Sequence, residues 1–345
     1  MDISDIHEVL KISGAGEVML LPNRIIAQKD NLQVSKCINT NSSKEVIEKK
    51  IIDLMPKHGE CCIKTNQINC GKRTVDYKAS QVNITPIQLN GFLSDSQTID
   101  RKELDELLQV EYAVASDETR PILKGIHFDN DTVVALDGYR LAMRKSKNMN
   151  LDASFTVPAE CIAAIRKTKS TKPVIMVFDD KYIKFVIDDI EIMARLMEGN
   201  YIAYKSLIPQ EYKTSFKIEA SRILDIINSY NKDTKLMKLF IQPDQINIEA
   251  NIQKCNKKKI KNDKGKFETR YDYETLATIK DSLVTKVKGD SFEIAFNPKY
   301  LKDALKDKEN VKMKFISPIS PLIITEGNKL ELVLPVRIFK GASTR

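Results

Sequence analysis

The chain has 345 residues, 42% of them hydrophobic, with Lys+Arg 55 against Asp+Glu 47 and a net charge of +8. That is long for one core and comfortable for two or three domains, with the apolar content of a globular protein rather than a disordered one. No apolar run approaches the roughly 20 residues of a membrane helix. MDISDIHEVL lacks a basic n-region and a cleavage site, so the expected location is the cytoplasm. The positive charge admits an anionic partner such as nucleic acid without requiring one.

Along the chain, EVMLLPNRIIAQ around Pro22 reads as a short apolar strand running into a helix opened by proline. Cys37, Cys61, Cys62, Cys70, Cys161 and Cys255 read as free thiols in a chain without an export signal. His58, Cys61, Cys62 and Cys70 fit no common zinc spacing, because adjacent Cys61 and Cys62 would point to opposite faces of a strand. An amphipathic helix is expected from Arg101 to Ala115, with Leu104, Leu107 and Leu108 on one side and Asp100 as its cap. A hairpin follows: GIHF from Gly125, a turn at Asn130–Asp131, then TVVAL. Asp137–Gly138 signals a tight turn before YRLAMR. SFTVPAECIAAI repeats the strand–proline–helix phrase at Pro158, and the strands KPVIMVF, YIKFVI and EIMARLM come after.

The same order then recurs. A helix from Ala220 to about Tyr230 leads into LFIQ, a Pro243–Asp244 turn and INIEANI. SFEIAFNPKYLKDAL carries the phrase again at Pro298, followed by KMKFI, a SPISP corner, LIIT, a Gly327–Asn328 turn and LELVLPVRI. Pro22, Pro158 and Pro298 stand 136 and 140 positions apart, which suggests three copies of one domain of ordinary size. The fold class expected is α+β, each domain an antiparallel sheet with two helices. The domains would span 1–92, 93–216 and 217–345. Pro22 arrives roughly 40 residues early against that repeat, so the first domain is expected to lack its opening helix and hairpin. Between Ile252 and Phe267, Lys254, Lys257, Lys258, Lys259, Lys261, Lys264 and Lys266 read as a mobile insertion, either a solvated loop or an arm that contacts phosphates.

Motifs for chemistry are missing. The chain has no phosphate-binding glycine loop, no HExxH and no CxxC, and His7, His58 and His127 form no set with a nucleophile. Asp129, Asp131 and Asp137 could be metal-binding carboxylates, but their places in a hairpin and its turns favour a turn role. No catalytic residue, metal or cofactor is assigned, and the weight moves to a binding or scaffolding protein.

ASDETRPILKGIHF…VVALDGYRLAMR strongly resembles the bacterial sliding clamp, the beta subunit of DNA polymerase III. MEGNYIAYKSLIPQEYKT, FNPKYLKDAL, SPISP and LVLPVRI extend the likeness collinearly from about Leu93 to the C-terminal end. The resemblance implies the DNA clamp fold of three like domains, a head-to-tail homodimer ring around duplex DNA, and no catalysis. Such a ring holds DNA topologically, needs only diffuse positive charge toward the phosphates, and avoids base contacts that would brake sliding. By the resemblance, lining residues would be Arg24 and Lys29, then Arg101, Lys102, Arg166, Lys167 and Lys169, then Arg222, Lys302 and Lys306, with Arg120 after a loop that can touch DNA.

The resemblance also implies a cleft between the middle and C-terminal domains that takes short peptides of polymerases and clamp-loader subunits. Its lining would include Leu123, Leu136, Gly138, Tyr139, Arg140 and Leu141, with Ile202, Ser206 and Leu207. Asn297, Tyr300, Ile319 and Pro321 would join them, as would Leu332, Val333, Leu334, Pro335, Val336, Arg337 and Ile338. The chain departs from the family pattern at Ile202, where the family has proline, and at Ser206, where it often has arginine. It also continues past LPVRI with FKGASTR, which could overlie the cleft. The lysine insertion, the net positive charge and the short first domain depart as well. A divergent or mobile-element clamp is therefore expected, with two alternatives: a metal-dependent nuclease or polymerase-associated enzyme, and a clamp-like adaptor that does not close a ring.

Overall fold

The computed structural model describes residues 1–38, 44–89, 95–230, 232–261 and 267–338. One sequence of elements runs through it three times. The first pass is α1 (Ile3–Ser13), strands β1 (Glu17–Leu21), β2 (Arg24–Lys29) and β3 (Leu32–Cys37), then β4 (Glu45–Glu48), the short α2 (Lys49–Ile52), and β5 (Cys61–Lys64), β6 (Gln67–Cys70) and β7 (Arg73–Asp76). The second opens with β8 (Asp95–Ile99) and continues with α3 (Arg101–Leu107), β9 (Gly125–Asp129), β10 (Thr132–Leu136), β11 (Arg140–Lys145), β12 (Ser154–Pro158), α4 (Ala159–Lys167), β13 (Val174–Phe178), β14 (Tyr182–Ile187) and β15 (Ile190–Arg195). The third is β16 (Thr214–Glu219), α5 (Ala220–Asn228), β17 (Met237–Ile241), β18 (Gln245–Lys261), β19 (Phe267–Val284), the two-residue β20 (Val287–Lys288), β21 (Phe292–Phe296), α6 (Pro298–Leu305), β22 (Asn310–Phe315), β23 (Leu322–Glu326) and β24 (Lys329–Val333). This is the α+β architecture expected, with antiparallel sheets and two helices in each pass.

The first pass has its opening helix and hairpin, which corrects the expectation of an incomplete first domain. Asp2 caps α1 by accepting from the Ser4 amide, Ile3, Ile6, Val9 and Leu10 bury one face, and Gly14 ends it at φ 69. The error came from Pro22. It opens no helix but sits in the turn between β1 and β2, where Leu21 pairs with Arg24 and Asn23 takes φ 65. Proline followed by a positive-φ asparagine suits a type II turn. Ile25, Ile26 and Ala27 are then buried in succession in a strand. Pro158 and Pro298 do introduce helices, at the cap of α4 and at the first turn of α6.

The chain divides into two compact units, Met1–Val134 with Lys145–Tyr201, and Ala135–Arg144 with Ile202–Arg345. In the first, an antiparallel sheet runs β4-β1-β2-β3-β15-β14-β13-β8, with β3 and β15 in the register Ile192↔Val34. The small sheet β5-β6-β7 stands apart from it. Across β5 and β6 Cys61 faces Cys70 in direct register, so the two sulfurs, expected as free thiols, are neighbours across the hairpin and placed to form a disulfide. Cys37, Cys62, Cys161 and Cys255 are free, and burial pushes the Cys161 thiol far up.

In the second unit the strands run β11-β24-β23-β22-β16-β20 in one sheet and β19-β18-β17-β21 in another. Ile223, Ile227, Ile246, Ile248, Phe296, Leu301, Phe315 and Val333 belong to the core they enclose. The lysine segment is not a loop. Most of it is β18, which pairs with β19 to Lys261↔Phe267, with one irregularity where Leu276 has no opposite residue. Lys264, Lys266, Leu93 and the FKGASTR tail lie outside the described residues. No helix among the described residues is long and apolar enough to cross a membrane.

Candidate functional site

Within the second unit, the turn before β11 builds a rigid aromatic surface. Asp137 accepts from the Tyr139 and Arg140 amides, and Gly138 takes φ 90, a conformation glycine adopts without strain. Arg140 Nε donates to Asp137 at 2.9 Å, and its Nη1 donates to Asp303 of α6. The guanidinium stands 4.9 Å from the Tyr300 ring centre, and Tyr139 stacks on Tyr300 at 5.9 Å. Burial opposes the Arg140 charge, but the bonds to Asp303 and Asp137 outweigh it and raise its pKa. Burial likewise raises the Tyr300 hydroxyl, with Asp137 adding to the effect.

Strand β24 brings the C-terminal segment to the same place. Arg140 pairs with Val333 and Leu141 with Leu332, and the Leu334 amide donates to the Tyr139 carbonyl. The Val336 amide then donates to Ala295. Tyr139 is 60% exposed, Val336 40% and Leu334 37%, so an apolar rim surrounds a floor of locked charges. Beneath it, Arg144 meets Glu331 at 2.6 Å and Asp307 at 2.9 Å, Lys308 meets Glu331 at 2.6 Å, and Lys329 reaches Asp307 at 3.3 Å. Burial would raise the Asp307 pKa, but Arg144, Lys308 and Lys329 hold it down to about 2.

The expected pocket residues thus divide. Tyr139, Arg140, Tyr300, Leu334 and Val336 meet at one surface, with Gly138 in its turn and Asn297 capping α6 through the Lys299 amide. Leu136, Leu141, Leu332 and Val333 are buried and support the floor, and Leu123 is buried in the first unit. Pro321 precedes Leu322, the partner of Val333. Ile319 and Leu207 are exposed, and Ile202, Pro335 and Ile338 are half-buried. Ser206 donates to the Ala203 carbonyl. The sequence reading missed Asp303, which lies one turn after Tyr300 on α6, the half-buried Asp307, and the buried Lys308 and Glu331.

The cations expected to face DNA also divide. Lys102, Lys169, Arg222, Lys302 and Lys306 are exposed on or beside helices, and Arg120 is exposed before a short 3-10 turn. Arg101 is a correction: it is buried and bonded to Asp105, Thr168 and the Ile165 carbonyl, so it serves packing between α3 and α4. Arg166 pairs with Glu111, and Lys167 donates to the Ile12 carbonyl at the end of α1. Arg24 and Lys29 lie on strand β2, Arg24 pairing with Glu191, because the helix assigned to them does not exist. The true helices of the first pass carry Lys11, Lys49 and Lys50 instead.

Of the acidic candidates, Asp131 pairs with Lys145, which lowers its pKa, and Asp137 holds Arg140. Among the described residues, no group of three or more His, Cys, Asp or Glu could hold a metal ion.

The chain thus repeats one α+β unit three times, with exposed cations on or beside helices and an aromatic surface by strand β24. Residues 98–202 match the model for the DNA polymerase III beta subunit central domain, and 205–336 match that for its C-terminal domain. The chain belongs to the DNA polymerase III beta subunit family. It is 25% identical over 247 residues to the beta sliding clamp of Staphylococcus aureus, and 27% over 251 to that of Bacillus subtilis. Those matches cover 68% and 67% of this chain but 61% of each relative's length. The fold extends the likeness to the whole chain. The structure of a putative DNA polymerase III beta subunit from Eubacterium rectale superposes with a TM-score of 0.81 at 18% identity, covering 98% of both chains. The beta subunit from Thermotoga maritima gives 0.79 at 18%, covering 98% of this chain and 99% of the other.

Proposed function

We propose that the chain is a non-catalytic sliding clamp that tethers a DNA polymerase to duplex DNA. The observation that carries this reading is the pair of adjoining family matches, central domain then C-terminal domain, on an element order that repeats a third time at the N-terminus. Exposed cations on the helices supply sequence-independent attraction to phosphates. The proposed domains have the limits 1–92, 93–216 and 217–345; the first limit falls on residues outside the described ones, and the second falls inside β16, the strand that opens the third pass.

In the working form two copies would pair head to tail. Strands β7 and β19 each end a sheet, and both ends suit pairing with another chain. Sedimentation at micromolar concentration is expected to give a dimer. Protein loaded on nicked circular DNA is expected to stay bound through a salt wash and to leave when the circle is cut. A monomer that is washed off circles and linear DNA alike sinks the ring and leaves the adaptor reading.

The surface around Tyr139, Arg140, Tyr300, Leu334 and Val336 would receive partner peptides of polymerase and clamp-loader subunits. A labelled peptide with glutamine and a leucine–phenylalanine end is the probe. Tyr300→Ala removes both the stacking partner of Tyr139 and the ring under Arg140, and should weaken binding about 10-fold or more, as loss of an interface anchor does. Unchanged binding places the site elsewhere.

A further inference from the structure

The β18–β19 hairpin reaches beyond the core of its sheet, and its outer half has two chemically different faces. Directly paired residues of an antiparallel ladder share a face. Lys257↔Tyr271, Lys259↔Thr269 and Lys261↔Phe267, with Cys255↔Tyr273 below them, make one face. It has three lysines, three aromatic rings and no carboxylate of the hairpin; Asp233 is the acid that acts on Tyr273, at its base. Lys254↔Glu274, Asn256↔Asp272, Lys258↔Arg270 and Ile260↔Glu268 make the other, where charges of both signs alternate.

The contacts respect this division. Lys257 Nζ stands 5.7 Å from the Tyr271 ring centre and Lys261 Nζ 5.5 Å from that of Phe267. On the opposite face Asp272 pairs with Lys258 and Arg270. Phe267 is 69% exposed, Tyr271 53% and Tyr273 48%. Exposed apolar rings on an edge hairpin are an aggregation hazard unless they serve a partner.

We propose that the Lys257–Lys259–Lys261 face of the β18–β19 hairpin, with Phe267, Tyr271 and Tyr273, binds single-stranded nucleic acid. Lysines on alternate strand positions recur about every 7 Å and meet the backbone phosphates, while the rings between them stack on unpaired bases. A duplex keeps its base faces covered and would leave the rings unused. The opposite face, where Lys254, Lys258 and Arg270 balance Glu268, Asp272 and Glu274, offers the same ligand no net attraction. This site is separate from the helices that would face duplex DNA.

The test is fluorescence anisotropy of the full chain with a labelled oligothymidylate and with a duplex of equal length. The chain should bind the single strand more tightly. Phe267→Ala with Tyr271→Ala should weaken it about 10-fold or more, since each stacked base is worth about 5- to 150-fold, and should leave the salt dependence unchanged. Lys257→Ala, Lys259→Ala and Lys261→Ala together should flatten the slope of log affinity against log salt by about 2, as loss of three phosphate contacts to a single strand does. Lys254→Ala with Lys258→Ala, on the other face, should change little. Unaltered melting temperatures show that each variant is folded. No binding, a preference for the duplex, or ring variants that bind as well as the parent would overturn the proposal.

Discussion

Strands β11 and β19 hold the same place in successive passes of the repeat, third after the opening helix, and they are finished in opposite ways. Strand β11 has six residues and is covered along its edge by β24, from Arg140↔Val333 to Arg144↔Lys329. Strand β3, its counterpart in the first pass, is covered in the same manner by β15. Strand β19 has 18 residues and pairs, among the described residues, only with β18. A third strand is covered by the closing strands of the following pass, and β19 has no following pass. The covered strand is short and tied by buried charge, whereas the uncovered one is long and carries charge along its length, as open edges do.

The largest expected effect lies at the covered strand. Glu331 is fully buried between Arg144 and Lys308, both also buried. Glu331→Ala would take away the buried carboxylate that Arg144 and Lys308 share, and breaking such a network costs about 3–5 kcal/mol. Urea unfolding monitored by circular dichroism should show that loss. A loss under about 1 kcal/mol would mean that the network does not hold β11 to β24.

Acid should give a smaller effect in the same place. Asp307 titrates near 2 in the folded chain, below the ordinary 3.8. Its folded-state pKa is depressed, so its contribution is full above pH 4 and disappears as the pH falls through about 2. Allowing for its partial exposure, that contribution is about 1–2 kcal/mol. Asp307→Asn should lower stability at pH 7 and flatten the decline between pH 4 and pH 2. Parallel curves for parent and variant would assign the acid sensitivity to other groups.

Much of this architecture was legible because its signals are local. Asp100 caps α3 by accepting from the Lys102 and Glu103 amides, Asn130 turns β9 into β10 at φ 55, and Asp137–Gly138 turns the chain into β11. Pro22 misled because a strand followed by proline can lead to a helix or to a turn, and the choice rests on Asn23 and on whether the next apolar residues are buried on one stripe or in succession. Using Pro22 as the ruler then hid α1, whose cap, spacing and final glycine were present in the sequence. The aromatic surface was legible only through the family motifs. Asp303 and Glu331 act through partners 163 and 187 positions away, and no local pattern announces such pairs. In the lysine segment, counting charge suggested a loop, whereas the pairing with β19 leaves Lys257, Lys259 and Lys261 on a face with the rings and gathers the acids, with Lys254 and Lys258, on the other.

The uncovered strand should show the smallest effect on stability. Phe267 and Tyr271 are more than half exposed, and the core residues of β18, Ile246, Ile248 and Ala250, lie at the other end of the hairpin. Substituting exposed residues away from caps and buried polar groups usually changes stability by no more than about 0.5 kcal/mol. Phe267→Ala with Tyr271→Ala should therefore unfold at the same urea concentration as the parent, even though the same pair is expected to lose nucleic-acid affinity. If instead the pair destabilises the chain as much as Glu331→Ala does, the outer hairpin is packed against something in the folded protein. The contrast between covered and uncovered third strands would then fail, and the aromatic face would be part of the core rather than a surface kept for a ligand.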